Sequence, residues 1–474
     1  MITVLEISFW VFIVIIFYSY LGYGILMSII TRSQTIMDAI PKPFNCKPQI
    51  FETQNPEDYL PSVSLIISAS GESERTLKEK IENTFQLNYP KDRMEVIFAI
   101  AYDTASKEDS TLRVFYETFL KEPTESGFSG KEEELYIKFR KFENISKDEN
   151  SLAELQVQLE NSVFTSEGIT ENAKQMLDDF FGGEENEFKI KITKDIERKG
   201  KISQVNRTVK NAVGEILVFS DANSMFNRDA IKNLVKHFRN SAVGCVAGEK
   251  RVLTAEGSTS GEGEGLYWKY ESFLKRLDSK LWTTVGAAGE IFAVRKFLWG
   301  DGVLESAIIE DFLLSMTIAQ NGYRVIYEPN AYAEEEPTKE MSDEFVRRRR
   351  IAAGGFQSIV YLKPLMNIFK YRVLTFQYVS HRVLRWAVVP FLLPIVFVIN
   401  IILISNIFFI LMFAFQFCFY IFAIIGYVLE RRGKKIKIFY FPYVLTLMNI
   451  AAYAGLKRYL KNEQKVTWER VKRN

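Results

Sequence analysis

The chain has 474 residues, 47% of them hydrophobic, and 60 basic against 58 acidic side chains give a formal net charge of +2. That length can build more than one domain, and so even a balance excludes bulk binding of nucleic acid. Two histidines and three widely spaced cysteines (Cys46, Cys245, Cys418) argue against a disulfide framework, a zinc site or a histidine base, which leaves carboxylates as the candidate acid–base groups.

The hydrophobic residues are segregated. No charge occurs between Glu6 and Arg32, between Arg385 and Glu430, or between Lys437 and Lys457. The first stretch suffices for one membrane-spanning helix of about 20 residues, and the second is roughly twice as long, so two spans hinged near 400–406 are expected. The third, 438–456, is just long enough for another. There is no basic region before the first apolar run, and Arg32 follows it as a stop-transfer charge, unlike a cleaved signal peptide. A multi-pass protein of the cell (inner or plasma) membrane is expected. Arg32, Arg382, Arg385, Arg431, Arg432, Lys434 and Lys435 flank the spans, and the positive-inside rule puts the large middle region in the cytoplasm. If 438–456 crosses fully, the basic tail lies outside against that rule. A re-entrant or interfacial placement and an exception to the rule both stay open. The chain thus divides into an N-terminal transmembrane helix (1–31), a proline-bearing linker (32–60) and a catalytic region (61–360) with a charged, partly helical insertion (107–187). An interfacial segment (361–384), a C-terminal region of two or three spans (385–457) and a basic tail (458–474) follow.

Within the middle region, 63–67 reads as a buried strand, followed by a turn at Ser70, Gly71 and Glu72. A helix with Leu77, Ile81 and Phe85 on one face comes next. A second strand, 94–100, closes with Asp103, completing a βαβ unit and hence a parallel sheet. The insertion is rich in Glu and Lys, and 112–120 and 152–159 have amphipathic helical spacing. The sheet resumes at 188–192. Lys199, Gly200 and Lys201 precede a helix with Ile202, Val205, Val209 and Val213 on one face, and Gly214 suits its C′ position. The apolar run 216–219 reads as a strand covered on both faces and stops at Asp221, with Asn223 two residues on. Helix 228–239, strand 243–248, a Gly/Ser/Glu loop of mobile composition (256–265) and helix 267–280 follow. The glycines of Gly286-Ala287-Ala288-Gly289 allow a close backbone approach or simply tight packing. Beyond them lie strand 291–294, helix 310–320 opening on Glu310 and Asp311, strand 323–327, and a segment with four consecutive arginines, Arg347 to Arg350.

Each motif alone has an ordinary reading. Asp103 and Asp221 could be turn or capping residues, Glu310 and Asp311 suit a helix N-terminus, and the arginine run suits a lipid-facing patch. Together they describe a pocket for a nucleotide diphosphate. Ligands of open α/β sheets bind beyond the carboxyl ends of strands, and Asp221 with Asn223 offers hard oxygens to a Mg²⁺ or Mn²⁺ that carries phosphates.

On these residues, 61–355 resembles the catalytic domain of membrane-bound family 2 glycosyltransferases, which include cellulose, hyaluronan and poly-N-acetylglucosamine synthases. The resemblance implies an α/β GT-A fold, Rossmann-like in its nucleotide half. It implies that Glu72, Asp103, Lys201, Asn206, Asp221, Arg347 and Arg350 bind the nucleotide sugar, Asp103 through its base and Arg350 through pyrophosphate. Asp221 and Asn223 would hold Mg²⁺ or Mn²⁺, and Glu310 and Asp311 would be the catalytic pair, with Asp311 the base of an inverting displacement. The chain departs from the family pattern at three places. The turn after strand one is Ser68-Ala69-Ser70-Gly71-Glu72, Asn223 replaces a second Asp, and Ile351 replaces the Trp on which processive synthases stack the acceptor. The implied partners are a nucleotide-diphosphate sugar, a UDP-sugar first among them, and a glycan acceptor in extracellular polysaccharide synthesis. Single transfer to a lipid-linked acceptor and an inactive scaffold are the alternatives. With three or four spans, a polymer channel would need a homodimer or an accessory subunit in the bilayer.

Overall fold

The strands Val63–Ala69 (β1) and Ile216–Asp221 (β7) are buried along nearly their whole length, because an unbroken apolar run is stable only with a layer on each face. They pair in parallel, from Val63 opposite Ile216 to Ser68 opposite Asp221. Met94–Ile100 (β2) runs parallel on the other side of β1, and Phe188–Lys194 (β6) parallel beyond it. On the far side of β7 the sheet turns mixed. Ile291–Arg295 (β10) is antiparallel to β7 and to Val243–Val252 (β9), Arg324–Glu335 (β11) is parallel to β9, and Met225–Phe226 (β8) closes that edge. The computed structural model describes residues 2–51, 59–69, 72–100, 201–253, 259–300, 302–303, 305–336, 341–404, 406–434 and 436–461, with the strand backbones at 134–141, 155–159, 162–164 and 188–194.

Those last segments correct one expectation. The stretch 152–159, read as an amphipathic helix, contains the strand Leu155–Leu159 (β4). With Glu134–Lys141 (β3) and Ser162–Phe164 (β5) it continues the sheet antiparallel to β6, in the order β5-β4-β3-β6-β2-β1-β7-β10-β9-β11-β8. Alternation in Leu-Gln-Val-Gln-Leu fits period 2 as well as a helix turn, and pairing decides between them. The other expected helical piece, 112–120, lies outside the described residues.

The period of 2 along β1 and β7 sends successive side chains to two cores. Val63, Leu65, Ile67, Ile216 and Val218 pack with Leu77, Ile81 and Phe85 of the helix Glu74–Phe85 and with the helix Ala230–Val235. Ile66, Leu217 and Phe219 pack with Ile202, Val205 and Val209 of the helix Lys201–Asn211. Gly214 serves close approach rather than a helix C′: a Cβ there would stand 2.3 Å from the Ser64 amide nitrogen, while its own N–H donates to Ser64 Oγ at 2.8 Å.

Four helices, Thr3–Ile30, Val373–Ile402, Ile407–Arg431 and Lys437–Leu460, are long and apolar enough to cross a membrane, and they flank the α/β domain as in a membrane protein. The break expected at 400–406 falls between Ile402 and Ile407, where Asn406 caps the new helix through Phe408 N–H. The preceding helix starts at Val373, so part of the segment expected at the interface is continuous with it. Phe9, Val396, Ile399, Leu403 and Phe409 fill the space between the first three helices. The last helix returns to the α/β domain, where a Cβ on Gly455 would meet Ala352 and the backbone of Arg349 and Ala353.

The two parts meet at a buried charge cluster. Glu271, Asp278 and His381 are 3%, 0% and 0% exposed. Arg382 donates to Glu271 and, at 3.1 Å, to the Val285 carbonyl; Arg385 reaches Glu271 at 3.2 Å. His381 Nδ1 lies 2.6 Å from Asp278, which also accepts from Tyr23 of the first span. Burial alone would raise the Glu271 carboxyl, but Arg382 and then His381 hold it well below the usual carboxylate range. Removing one member of such a cluster strands a charge in low dielectric, which costs about 3–5 kcal/mol. Arg382→Met should therefore lower the unfolding midpoint of the detergent-solubilised protein sharply in denaturant titration, and the half-exposed pair Arg75–Glu79 should be dispensable in the same assay.

Candidate active site

The carboxyl ends of β1 and β7 lie side by side, and the loops leaving them build the site. Asp221 ends β7, and Ala222 N–H donates to the Ser68 carbonyl at 3.0 Å, tying that loop to β1. Lys201, the first residue of its helix, places its ammonium 2.6 Å from Asp221 Oδ1 and 3.2 Å from Glu310 Oε1. Glu310 and Asp311 form the first turn of the helix Glu310–Gln320. Strand β7, the Lys201 helix and the acidic helix thus converge on one cation. Burial works against that charge, yet Asp221 and then Glu310 hold the Lys201 ammonium above its ordinary pKa.

Asp311 faces the loop before β10. A Cβ on Gly289 would stand 3.4 Å from Asp311 Oδ2, so the carboxylate lies beside this backbone at an ordinary contact distance. Gly286, at φ 92°, is closer to its neighbour, the Phe312 ring. Of the two readings open for the glycine stretch, tight packing holds at Gly286, against the Phe312 ring, while the distance at Gly289 is an ordinary contact. Burial, then Glu310 and Glu290, push the Asp311 carboxyl up to about 7, against the Phe312 N–H and Lys201.

The helix Met341–Tyr361 brings the arginines. Arg350 is in the field of Glu310, Asp221 and Asp311. Arg347 lies 3.7 Å from both Glu290 and Glu344, over the ring of Trp268. Arg348 pairs with Glu344 as well, at 2.5 Å, and the Arg349 backbone is against Gly455. Helical spacing of three puts Arg347 and Arg350 on one face.

Asn206 has a different task from the one expected near a nucleotide. Its Oδ1 accepts from Val303 N–H at 2.8 Å and Trp299 Nε1 at 3.1 Å, and its Nδ2 donates to the Val303 carbonyl at 2.7 Å. It clamps the 299–303 loop and acts on the site through packing. Glu72 stands just beyond β1, ahead of the helix Glu74–Phe85. Asp103, Lys199, Gly200, Ser70 and Gly71 lie outside the described residues. Asp221 and Asn223 are the oxygen donors at the strand end. Among the described residues no three His, Cys, Asp or Glu side chains gather as a self-sufficient metal site.

Four residues of this region were not singled out in the sequence. Lys80 is buried under the Asp221 loop, donating to Ser220 Oγ at 2.8 Å and to the Ser224 carbonyl. Burial brings it down to about 7, against Asp221 and Glu335. Ser224 donates to Glu335, Glu335 pairs with Lys250 at 2.6 Å, and Lys250 pairs with Glu290. Burial pushes Glu290 up, but Lys250 and Arg347 overcome it and hold it at about 2. The available signal was a lysine on the apolar face of a helix, one residue before Ile81; Glu290 directly follows the glycine stretch.

The fold is a mixed α/β sheet of GT-A-like kind, and the candidate site places its acids beyond the strand ends. Residues 204–424, just under half of the chain, match the model of the family described as glycosyl transferase family group 2, which supports reading the chain as a family 2 glycosyltransferase. Its fold is similar to that of the mannosyltransferase PcManGT from Pyrobaculum calidifontis, solved in complex with GDP-Man and Mn2+. That likeness has a TM-score of 0.62 at 17% identity and covers 97% of this chain and 100% of that one. S. aureus TarS shares 15% identity at a TM-score of 0.34, over 66% of this chain and 44% of its own, too little to support an argument. No curated protein matches the chain in sequence.

A base is active only as the carboxylate, and kcat/KM reports the free enzyme. With the Asp311 carboxyl raised to about 7, kcat/KM for sugar transfer should climb with pH through that region. Arg350 and Lys275 also act on this carboxylate and favour its charged form. Glu290→Gln removes an acidic neighbour and should move the climb to lower pH; an unmoved profile would assign the titration to another group.

Proposed function

We propose that the chain transfers a sugar with inversion from a nucleotide-diphosphate sugar to a hydroxyl or phosphate presented at a membrane, with Asp311 as the base. The observation that carries this reading is the convergence of Asp221, Glu310, Lys201 and Arg350 around Asp311. Asp311 takes the proton of an acceptor hydroxyl as the oxygen bonds to the anomeric carbon; an acceptor already ionised needs no such transfer. The bond from that carbon to the diphosphate breaks on the opposite face, and the nucleoside diphosphate leaves with the electron pair. Arg350 and Lys201 are placed to bind its oxygens, fixed charges that need no reorganisation as negative charge grows there. Asp103, Glu72 and Arg347 complete the donor site in this reading. Asp221 and Asn223 suit a Mg²⁺ or Mn²⁺ whose other ligands are diphosphate oxygens and water, the usual habit of such ions. When bound, that ion would neutralise the leaving group. The mannosyltransferase of similar fold was solved with GDP-Man and Mn2+, so a guanosine diphosphate sugar joins the UDP-sugars as a donor.

The helices favour a lipid-linked acceptor over a growing polymer. Phe9, Val396, Ile399, Leu403 and Phe409 close the space between three of them, whereas a threaded glycan needs a polar path. Ile351 leaves the arginine helix without an acceptor-stacking indole at that position. In this reading the α/β domain is cytoplasmic and the bilayer is the cell membrane.

The test is incubation of the full-length protein with labelled GDP-mannose and UDP-sugars, Mn²⁺ or Mg²⁺, and either polyprenyl phosphate or oligosaccharide acceptors. A single addition to the lipid is expected, and a polymer ladder would restore the exopolysaccharide reading. For a hydroxyl acceptor, Asp311→Asn should lower kcat by about 10²–10⁴-fold, the usual weight of a general base, while nucleotide affinity changes little. Full activity in that variant sinks the assignment of the base.

A further inference from the structure

Lys201 is where a metal ion would have to go. Its ammonium is in contact with Asp221 Oδ1 and close to Glu310 Oε1, and the three side chains are only 17–19% exposed. A Mg²⁺ ion binds carboxylate oxygen at about 2.0–2.1 Å, so an ion on this oxygen would stand within a few ångströms of the ammonium. In a half-buried site, repulsion between a dication and an ammonium that close is screened far less than in water. The two cations compete for Asp221 Oδ1.

We infer that Lys201 is a resident counter-ion that closes the metal position of the donor-free protein, and that the metal enters only together with a nucleotide diphosphate. The inference rests on the donor reading proposed above. Lysine suits this exchange. Its ammonium is a point charge on a four-carbon stem with three rotatable donors, able to leave one oxygen for another, where a planar guanidinium is held by its fork. As the diphosphate arrives, its oxygens give the ammonium a new partner, and Glu310 remains beside it. Asp221 is then released to the incoming ion. Without donor, the ammonium satisfies two acids that would otherwise repel each other.

Mn²⁺ binding to the full-length protein in detergent, followed by the electron paramagnetic resonance signal of the free ion, tests this without sugar transfer. Wild-type protein should take up Mn²⁺ weakly alone and about tenfold or more tightly with GDP or UDP present, a shift well within reach of one displaced contact. Lys201→Met should bind Mn²⁺ alone about tenfold or more tightly than the wild type, and Mn²⁺ should raise its melting temperature. Lys201→Arg should also bind Mn²⁺ weakly alone, and should gain less than the wild type when GDP or UDP is added, because the fork does not let go. Equal Mn²⁺ affinity in wild type and Lys201→Met overturns the inference. So does tight Mn²⁺ binding to wild type without nucleotide, an arm that needs no variant to fold. Either result beside intact transfer by the wild type would leave the proposed function standing, whereas absence of both nucleotide binding and transfer in the wild type would remove that as well.

Discussion

Glu271 and Arg382 hold the two halves of this protein together. The carboxylate sits on the helix Thr259–Leu281 of the α/β domain and the guanidinium on the second long apolar helix, both in the interior. A charge buried there tolerates no slip, because any displacement leaves it unpaired in low dielectric. The same guanidinium lies over Phe312 and Trp386, at 5.8 and 5.3 Å. Phe312 follows Asp311 in the chain. The position of Asp311 is therefore linked, through one ring and one ion pair, to the long apolar helices. In the proposed function, where Asp311 is the base and the acceptor is held by a membrane, that link would align the two.

A second network runs beneath the site. From Lys80 it passes through Ser224, Glu335, Lys250 and Glu290 to Arg347. Basic and acidic groups alternate through most of it, so each group compensates its neighbour and the buried array as a whole is satisfied. It connects the Asp221 loop to the arginine helix, elements on different strands and helices. The Asp221 loop and the arginine helix are thus joined by one chain of paired charges.

Much of the site could be read from the residues in order. Strand-end acids stand out because a buried apolar run that stops at Asp221 has few other ways to end, and Glu310-Asp311 opens a helix in plain view. Lys80 was hidden because its spacing places it among Leu77, Ile81 and Thr84, where a charge looks like a solvated edge until the loop that covers it is in place. Asn206 fitted a nucleotide-binding motif, yet the loop at 299–303, nearly a hundred positions away, claims its side chain. The strand Leu155–Leu159 was misread for a related reason. Five residues with alternating character are compatible with two periods, and the partner strand settles which applies.

The sequence by itself determined the layered α/β class, the apolar helices and the acids of the candidate site. These follow from local facts: how long an apolar run is, what period it has, and which charge ends it. Only the tertiary structure decided which cation Asp221 and Glu310 share, how far the Asp311 carboxyl is raised, and that the last apolar helix comes back to the arginine helix. Each depends on groups far apart in the chain, brought within a few ångströms by the register of β1 on β7 and the packing of helices on that sheet. Electrostatics at such range is set by burial and distance, and neither is a property of any one stretch of residues.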